Sequence, residues 1–506
     1  MTKKKKKEKQ YGPVSVLLIL IGIVSVISLI MSILGIDGYK TVIQNGTMEN
    51  VLVTVKNIIS LDGIKFIIGN AVNNFRQLEP LILIIISLLG ISICEKSGLL
   101  NAIFNPLKRV KLSIIIFLTL LIGIISSVIG DNSYVFLIPL IGVMYKYLGK
   151  NPILGVITIF LGITIGYGFG IFFNYNDYLL GSLSELAATT SIDKNYRYNL
   201  FSDLFIMIFS SIVISLIGTI VVDKFLVNKL PKKYSYEEEL VISKKAKKIS
   251  LIGGLILCLL FIYMILPINT IGAGVLLDKS ADRYMEQLFG ANSAFGNGLI
   301  IIITIIMITS GMLYGKISGN IKNSHEFSLS MSKTFENLGF MFVLMFFGSQ
   351  LIAIIDWSNI GIVIGTKLID FMSNLEISGI FLIIIFFIVI VIMSLLIPSS
   401  YAKWQIVSPV AIPLFMRSNI TPNMTQFIFK TADGIGKSLT PIYIYYIIML
   451  AFIEKYRVSE KKQVSVYGTL KMILPVILIM AFTMLLIIIL WYIIGLPIGI
   501  GTYSTL

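Results

Sequence analysis

Histidine and cysteine are nearly missing from this chain, with one His and two Cys among 506 residues. Cys94 and Cys258 lie in or at the end of apolar runs, so they read as packing residues. They supply neither a disulfide framework nor metal-ligand spacing. His325 stands alone in a polar connector and carries no chemistry. No His-Glu-x-x-His or Gly-x-Ser-x-Gly occurs, which removes the commonest hydrolytic signatures. Charge is scarce too: Asp, Glu, Lys and Arg make up 13% of the residues against 56% hydrophobic ones. With a mean hydropathy of +0.91, this is no soluble core. Apolar runs of about 18 residues or more recur and mark a polytopic helical membrane protein. They are continuous rather than alternating, which excludes a transmembrane barrel.

The net charge of +15 is unevenly placed. Lys3 to Lys7 with Lys9 form one basic block. Lys224, Lys232, Lys233, Lys244, Lys245, Lys247 and Lys248 form a second, and Lys455, Arg457, Lys461, Lys462 and Lys471 a third. Such blocks between apolar segments follow the positive-inside rule and put residues 1–13 in the cytoplasm as a basic tail. They are not a nucleic-acid surface, because no globular domain presents them. The run 14–34 is long enough to span and no small-residue cleavage site follows, so it is expected to be the first span rather than a signal peptide.

Counting from an inside N-terminus, nine spans are expected: 14–34, 80–94, 153–173, 200–222, 249–266, 298–313, 338–355, 425–452 and 473–494. Two further apolar stretches are interrupted. In 112–144 the break is Ser126-Ser127-Val128-Ile129-Gly130-Asp131-Asn132-Ser133-Tyr134, with basic feet (Lys108, Arg109, Lys111; Lys146, Lys150) at both ends. In 377–416 the break is Pro398-Ser399-Ser400-Tyr401, and charge places its feet on the other side. Backbone can turn at membrane depth only where protein or a water-filled cavity satisfies it, so both read as re-entrant hairpins. The expected fold is all-α and polytopic: about nine transmembrane helices plus two opposed re-entrant hairpins, an inverted-repeat transporter in one transmembrane domain.

Such folds bind substrate and ions where broken helices meet. Asp131, with Asn132 and Ser133, reads as a proton carrier or cation ligand, or as the cap of the second half-helix. Ser399, Ser400, Tyr401 and the upstream Ser394 offer hydroxyls and freed carbonyls to a polar ligand, or simply make a turn after Pro398. A sodium position near Asn132 and Ser399 is one candidate, and the coupling ion is H+ or Na+. Lys403 and Trp404 follow the second tip, and Trp404 offers a ring face to an aromatic or cationic ligand, or packs. Lys430 and Asp433 share a helix face; they pair with each other or with a hairpin, and Lys430 is a candidate partner for an anionic substrate. No organic cofactor is implied. Asp131 and Asp433 also invite an intramembrane aspartyl protease, but Val128-Ile129-Gly130-Asp131 lacks the first glycine of Gly-x-Gly-Asp. A channel is disfavoured because the polar residues gather at two tips rather than along a pore.

Several strings resemble one family: Leu78-Glu-Pro-Leu, 90–98 with its Glu95-Lys-Ser-Gly, and Asp131-Asn-Ser-Tyr-Val-Phe-Leu-Ile-Pro-Leu140. Asp177-Tyr-Leu-Leu-Gly, Trp357-Ser-Asn-Ile-Gly, Ser399 to Trp404, Thr421-Pro-Asn-Met-Thr-Gln426, Asp433 and Thr440-Pro441 follow in order. Together they resemble the aminobenzoyl-glutamate transporter (AbgT) family over nearly the whole chain. The resemblance implies nine transmembrane helices, two opposed hairpins, a homodimer in the bacterial inner membrane, and transport of aminobenzoyl-glutamate-like folate catabolites. In some members it implies gradient-driven export of sulfonamide antimetabolites. It maps the family's carboxylate onto Asp131, its hairpin tryptophan onto Trp404 and its proline onto Pro422. Departures fall at Ser394, where the family has asparagine, at Tyr401 for serine, and at Lys430 for arginine. Lysine keeps the charge but loses the bidentate fork. A carrier of a different small organic anion is the alternative.

Overall fold

The computed structural model describes residues 11–44, 47–230, 241–333, 335, 338–457 and 465–506. The first basic block, most of the 1–13 tail, and Lys232, Lys233, Lys461 and Lys462 lie outside the described residues. Among the described residues, eight helices are long and apolar enough to cross a membrane. Seven coincide with expected spans: Pro13–Ile33, Leu61–Lys96 (one apolar stretch of two helices), Leu204–Lys229, Lys244–Tyr263, Ala294–Ser318, Gly339–Ser358 and Val466–Ile494. The eighth, Leu112–Ile129, is the first limb of the first hairpin. Between the first two expected spans lie a β-ribbon (Asp37–Gln44 with Thr47–Thr54) and a helix (Leu61–Arg76). The ribbon packs on the helix Ile360–Ser373, where Tyr39 Oη donates to Asp370 (3.0 Å) and Lys367 pairs with Asp37 (3.3 Å).

The remaining two spans are broken. The expected span 153–173 holds a helix Pro152–Ile165 and an unwound stretch from Gly166, and a second helix, Tyr175–Ser191, follows it. Residues 425–452 hold Pro422–Lys437 and Ile444–Lys455 with a break between them, not one span. Both first halves begin with proline after a capping side chain: Asn151 accepts from Ile153 N–H (2.9 Å) and Thr421 from Met424 N–H (3.3 Å). Proline suits the first helical position because its missing N–H would have had no partner there. The chain thus runs twice through one order. A broken hairpin (Leu112–Ile125 with Asn132–Tyr147; Gly379–Ser394 with Ser400–Arg417) is followed by a broken helix.

Each interruption is satisfied by side chains, as water-free surroundings require. At the first tip, Ser133 Oγ donates to Ser126 C=O and Ser127 Oγ to Phe169 C=O, both at 2.6 Å. At the second, Thr440 Oγ1 donates to Leu395 C=O (3.0 Å) and Lys403 Nζ to Ile397 C=O (2.7 Å). In the first broken helix, Asn174 and Asn176 donate to Tyr167 C=O (2.8 and 2.9 Å), and Asn174 also to Phe169 C=O (2.9 Å). Gly130 takes φ +56°, and a Cβ there would strike the ring of Tyr175, so the first tip turns only with glycine.

Candidate functional site

The helix Pro422–Lys437 is buried on every side. It crosses the first broken helix at its unwound stretch. A Cβ on Gly434 would collide with Thr164 C=O, and one on Gly168 would lie 3.0 Å from Lys430 Cβ. The small residues let the two backbones touch. Charged side chains then emerge from this helix into two pockets of opposite balance.

The first pocket centres on Asp433, which is fully buried. Its carboxylate accepts from Ser394 Oγ (2.7 Å), from Ser400 Oγ and from Lys403 Nζ, and it pairs with Lys437 (3.2 Å) one turn along. Lys437 Nζ also donates to Ser400 (2.6 Å) and lies 3.8 Å from the ring centre of Tyr167 and 5.1 Å from that of Tyr443. Tyr167 Oη reaches Ser400 Oγ (3.1 Å), while Tyr443 Oη reaches Asp131 at 3.5 Å. Asp131 and Ser400, one from each tip, are therefore joined by two tyrosines and one lysine.

The second pocket centres on Lys430. Its ammonium lies 2.5 Å from both Asp177 and Asp203, and all three groups are buried. Gln426 Nε2 donates to Asp177 (2.9 Å) and lies 2.8 Å from Tyr198 Oη; its carbonyl accepts from Ser184, whose Oγ in turn accepts from Trp404 Nε1 (2.9 Å). Asp177 also faces a cavity of about 660 Å³ that Tyr401 lines. A second, smaller cavity of about 220 Å³ lies at the first tip, lined by Asp131, Asn132, Glu79 and Tyr175.

Against known proteins, the model of the family described as "AbgT putative transporter family" matches residues 6–506. The chain belongs to the AbgT transporter family. It is 26% identical over 460 residues to the p-aminobenzoyl-glutamate transport protein of Escherichia coli (strain K12), covering 90% of this chain and 88% of that one. Two solved structures are similar. One is the Alcanivorax borkumensis YdaH transporter, described as having an unusual topology (24% identity, TM-score 0.49, covering 97% of this chain and 100% of that one). The other is Neisseria gonorrhoeae MtrF, described as illuminating a class of antimetabolite efflux pumps (26% identity, TM-score 0.49, 98% of each chain).

In this AbgT transporter the residues expected at the site fall in different places. Asp131, Ser394, Ser400 and Asp433 converge as described. Asn132 lines the small cavity, and Ser133 is spent on the tip's own backbone. Ser399 is exposed and accepts from Ala402 N–H (3.2 Å) as a helix cap. Among the described residues no group of three or more His, Cys, Asp or Glu is placed to hold a metal. Tyr401 is 40% exposed and turns from the charged pocket to the larger cavity. Trp404 offers no free face: it is fully buried against Phe429, with ring centres 4.4 Å apart. Pro422 starts the crossing helix, away from both pockets.

Lys430 does not pair with Asp433, and it is saturated by two carboxylates. Three residues along a helix is a net separation of only about 60°, so the two stay on neighbouring faces, and the partners packed opposite draw them apart: Asp177 and Asp203 meet Lys430 while Lys403 meets Asp433. Of the carboxylates facing it, Asp177 stands in the sequence only as the first residue of the family-like string Asp177-Tyr-Leu-Leu-Gly, and Asp203 only near the start of the expected span 200–222. Lys437, Tyr167 and Tyr443 were also missed. The one available signal was periodic: Lys430, Asp433 and Lys437 at i, i+3 and i+7 place three charges along one stripe of an expected span.

Proposed function

We propose that this AbgT-family membrane transporter is a secondary carrier of p-aminobenzoyl-glutamate-like aromatic acids, driven by the proton gradient. It sits in the bacterial inner membrane with its N-terminus in the cytoplasm and, as the family resemblance implies, as a homodimer. The observation that carries the reading is the opposed charge imbalance on one buried helix. Around Lys430, one ammonium meets two carboxylates, an excess of one negative charge. Around Asp433, one carboxylate meets two ammoniums, an excess of one positive charge. Isolated buried charge is costly, so each pocket is stabilised by a mobile partner: a proton for the first, an anion for the second. Asp177 Oδ2 and Asp203 Oδ1 are buried and have no hydrogen-bond partner among the described residues, as an oxygen awaiting a proton would be. Asp131 stands beside the positive pocket and supplies its counter-charge when no substrate is present. The E. coli relative's printed name supports the substrate class, and the lysines of 244–248 at a span start support the orientation.

The test is flux in proteoliposomes under imposed proton and sodium gradients, with p-aminobenzoyl-glutamate, other small organic anions and sulfonamides as solutes. Uphill movement of the aromatic acid with a proton gradient alone is expected. Uphill movement with sodium alone would overturn proton coupling, and strictly downhill movement would overturn the carrier.

A further inference from the structure

Lys430 was the cation expected to meet a substrate carboxylate, and it is fully engaged. The about 660 Å³ cavity on the far side of Asp177 holds another candidate. Its volume suits a small organic ligand. Its walls carry the aromatic rings of Tyr178, Tyr198, Phe201, Tyr284 and Tyr401. Of its ionised groups, Asp177 is paired with Lys430 and Glu185 with Arg197 (3.2 Å). Arg283 and Glu286 also line it, one helical turn apart, and neither forms a salt bridge among the described residues.

Both come from the connector between the spans Lys244–Tyr263 and Ala294–Ser318, and that connector is anchored. Phe289 packs against Phe173, Tyr175, Tyr178 and Phe295, with ring centres 5.3 to 6.2 Å apart. Tyr284 Oη donates to Ile265 C=O (2.9 Å), Asp278 N–H donates to Gln287 C=O (2.9 Å) and Phe295 N–H to Leu276 C=O (3.0 Å). Asp278 accepts from the Ser280 hydroxyl (2.6 Å) and N–H (3.0 Å), which hold its carboxyl below its ordinary range. Arg283, exposed, and Glu286, half-buried, are thus held by an ordered connector at the wall of a cavity that Asp177 also lines.

The geometry points to this cavity as the docking vestibule for an aromatic acid carrying a hydrogen-bond donor at its other end: Arg283 receives the carboxylate, Glu286 receives the amine, and the tyrosines clasp the ring. An Arg guanidinium matches a carboxylate with two parallel bonds, the fork that Lys430 lacks. Docking there sets the ligand directly above Asp177 and so next to the negative pocket. This rests on the carrier reading above and adds a specificity determinant to it.

The experiment is binding of p-aminobenzoyl-glutamate, p-aminobenzoate, benzoate and p-aminobenzamide to the purified full chain by calorimetry, with flux measured in parallel. Arg283→Gln should weaken the three carboxylates about tenfold or more and leave p-aminobenzamide unchanged, while Arg283→Lys recovers part of the loss. Glu286→Gln should weaken p-aminobenzoate more than benzoate. Equal loss for the amide, no loss for Arg283→Gln, or binding of no probe by the wild type would each overturn the vestibule. Arg283-dependent binding without gradient-driven flux would leave the vestibule standing and overturn the carrier; flux indifferent to Arg283 would do the reverse.

Discussion

Replacing Asp433 by asparagine should be among the most damaging single changes in the molecule, and the reason is charge rather than shape. Asn is nearly isosteric and can still hydrogen-bond. It cannot balance Lys403 and Lys437, whose side chains are 0% and 2% exposed. Removing one partner of a buried ion pair costs about 3–5 kcal/mol because the other charge is left unpaired. Here two charges are left, so the upper end, about 5 kcal/mol, is expected. Lys403→Met is different. It leaves a neutral Asp433–Lys437 pair and costs the lost hydrogen bonds to Asp433, Ser394 and Ile397 C=O, about 1–3 kcal/mol. The double change Asp433→Asn/Lys403→Met has one unpaired cation rather than two, so it should be more stable than Asp433→Asn alone. Thermal unfolding in nanodiscs, followed by circular dichroism and by the fraction remaining monodisperse, measures all four forms as a double-mutant cycle. If Lys403→Met proves as harmful as Asp433→Asn, and the double change is no better than either, these residues act as ordinary hydrogen-bonding groups and the charge argument fails.

Lys430→Ala strands Asp177 and Asp203 against each other and should cost about 3–5 kcal/mol; adding Asp203→Asn should recover much of that, read by the same melting assay. Trp404→Phe keeps the contact with Phe429 but loses the bond to Ser184, costing about 1 kcal/mol, whereas Trp404→Ala should cost about 3–5 kcal/mol. Gly434→Ala should block insertion of a stable protein because its Cβ meets Thr164 C=O; Gly69→Ala, with nothing within 4 Å on the helix Leu61–Arg76, should stabilise by about 0.5–1 kcal/mol, and yield of monodisperse protein separates the two. Asp131→Asn should still insert, melt below the wild type but above Asp433→Asn because it faces the lysines through Tyr443 rather than in a direct pair, and lose proton-driven accumulation in proteoliposomes; unchanged accumulation would remove Asp131 from coupling.

The long spans were legible because apolar length is read directly in a membrane protein, where each residue facing lipid or core must be greasy. The hairpin tips were legible for the complementary reason: Asp131 is the one charged residue in 112–144, and Pro398-Ser399-Ser400 follows a run, 379–393, with no polar residue. Breaks made of permitted residues were harder. Gly166 to Gly170 is as apolar as its neighbours, and Pro441 follows a helix that ends on its own terms, so the sequence marks both 153–173 and 425–452 as single spans. Pairing was not legible at all, since periodicity says which face Lys430 occupies on its own helix but not which helix lies opposite. The partner Asp203 sits 227 residues away in the chain and looks like any acid at a span start. Tyr401 and Trp404 illustrate the same limit within one turn: three residues apart, one opens to a cavity while the other is sealed in the core.

Lys437 is where these separate elements become one mechanism. Tyr167 lies in the unwound stretch of the first broken helix and Tyr443 in the break of the second, and both rings face its ammonium. Tyr443 also touches Asp131 on one tip, and Tyr167 touches Ser400 on the other. A tip cannot move without pulling a tyrosine off the lysine or taking the lysine with it. The ammonium has low-energy positions only where Asp433, Ser400 or a ring can receive it, so the arrangement favours discrete states over gradual displacement. An anion entering the positive pocket would compete with Asp131 for that excess charge, and release of Asp131 would free the first tip through Tyr443. On the proposed carrier reading, substrate binding at one tip would be felt at the other through Asp131, Tyr443, Lys437 and Ser400.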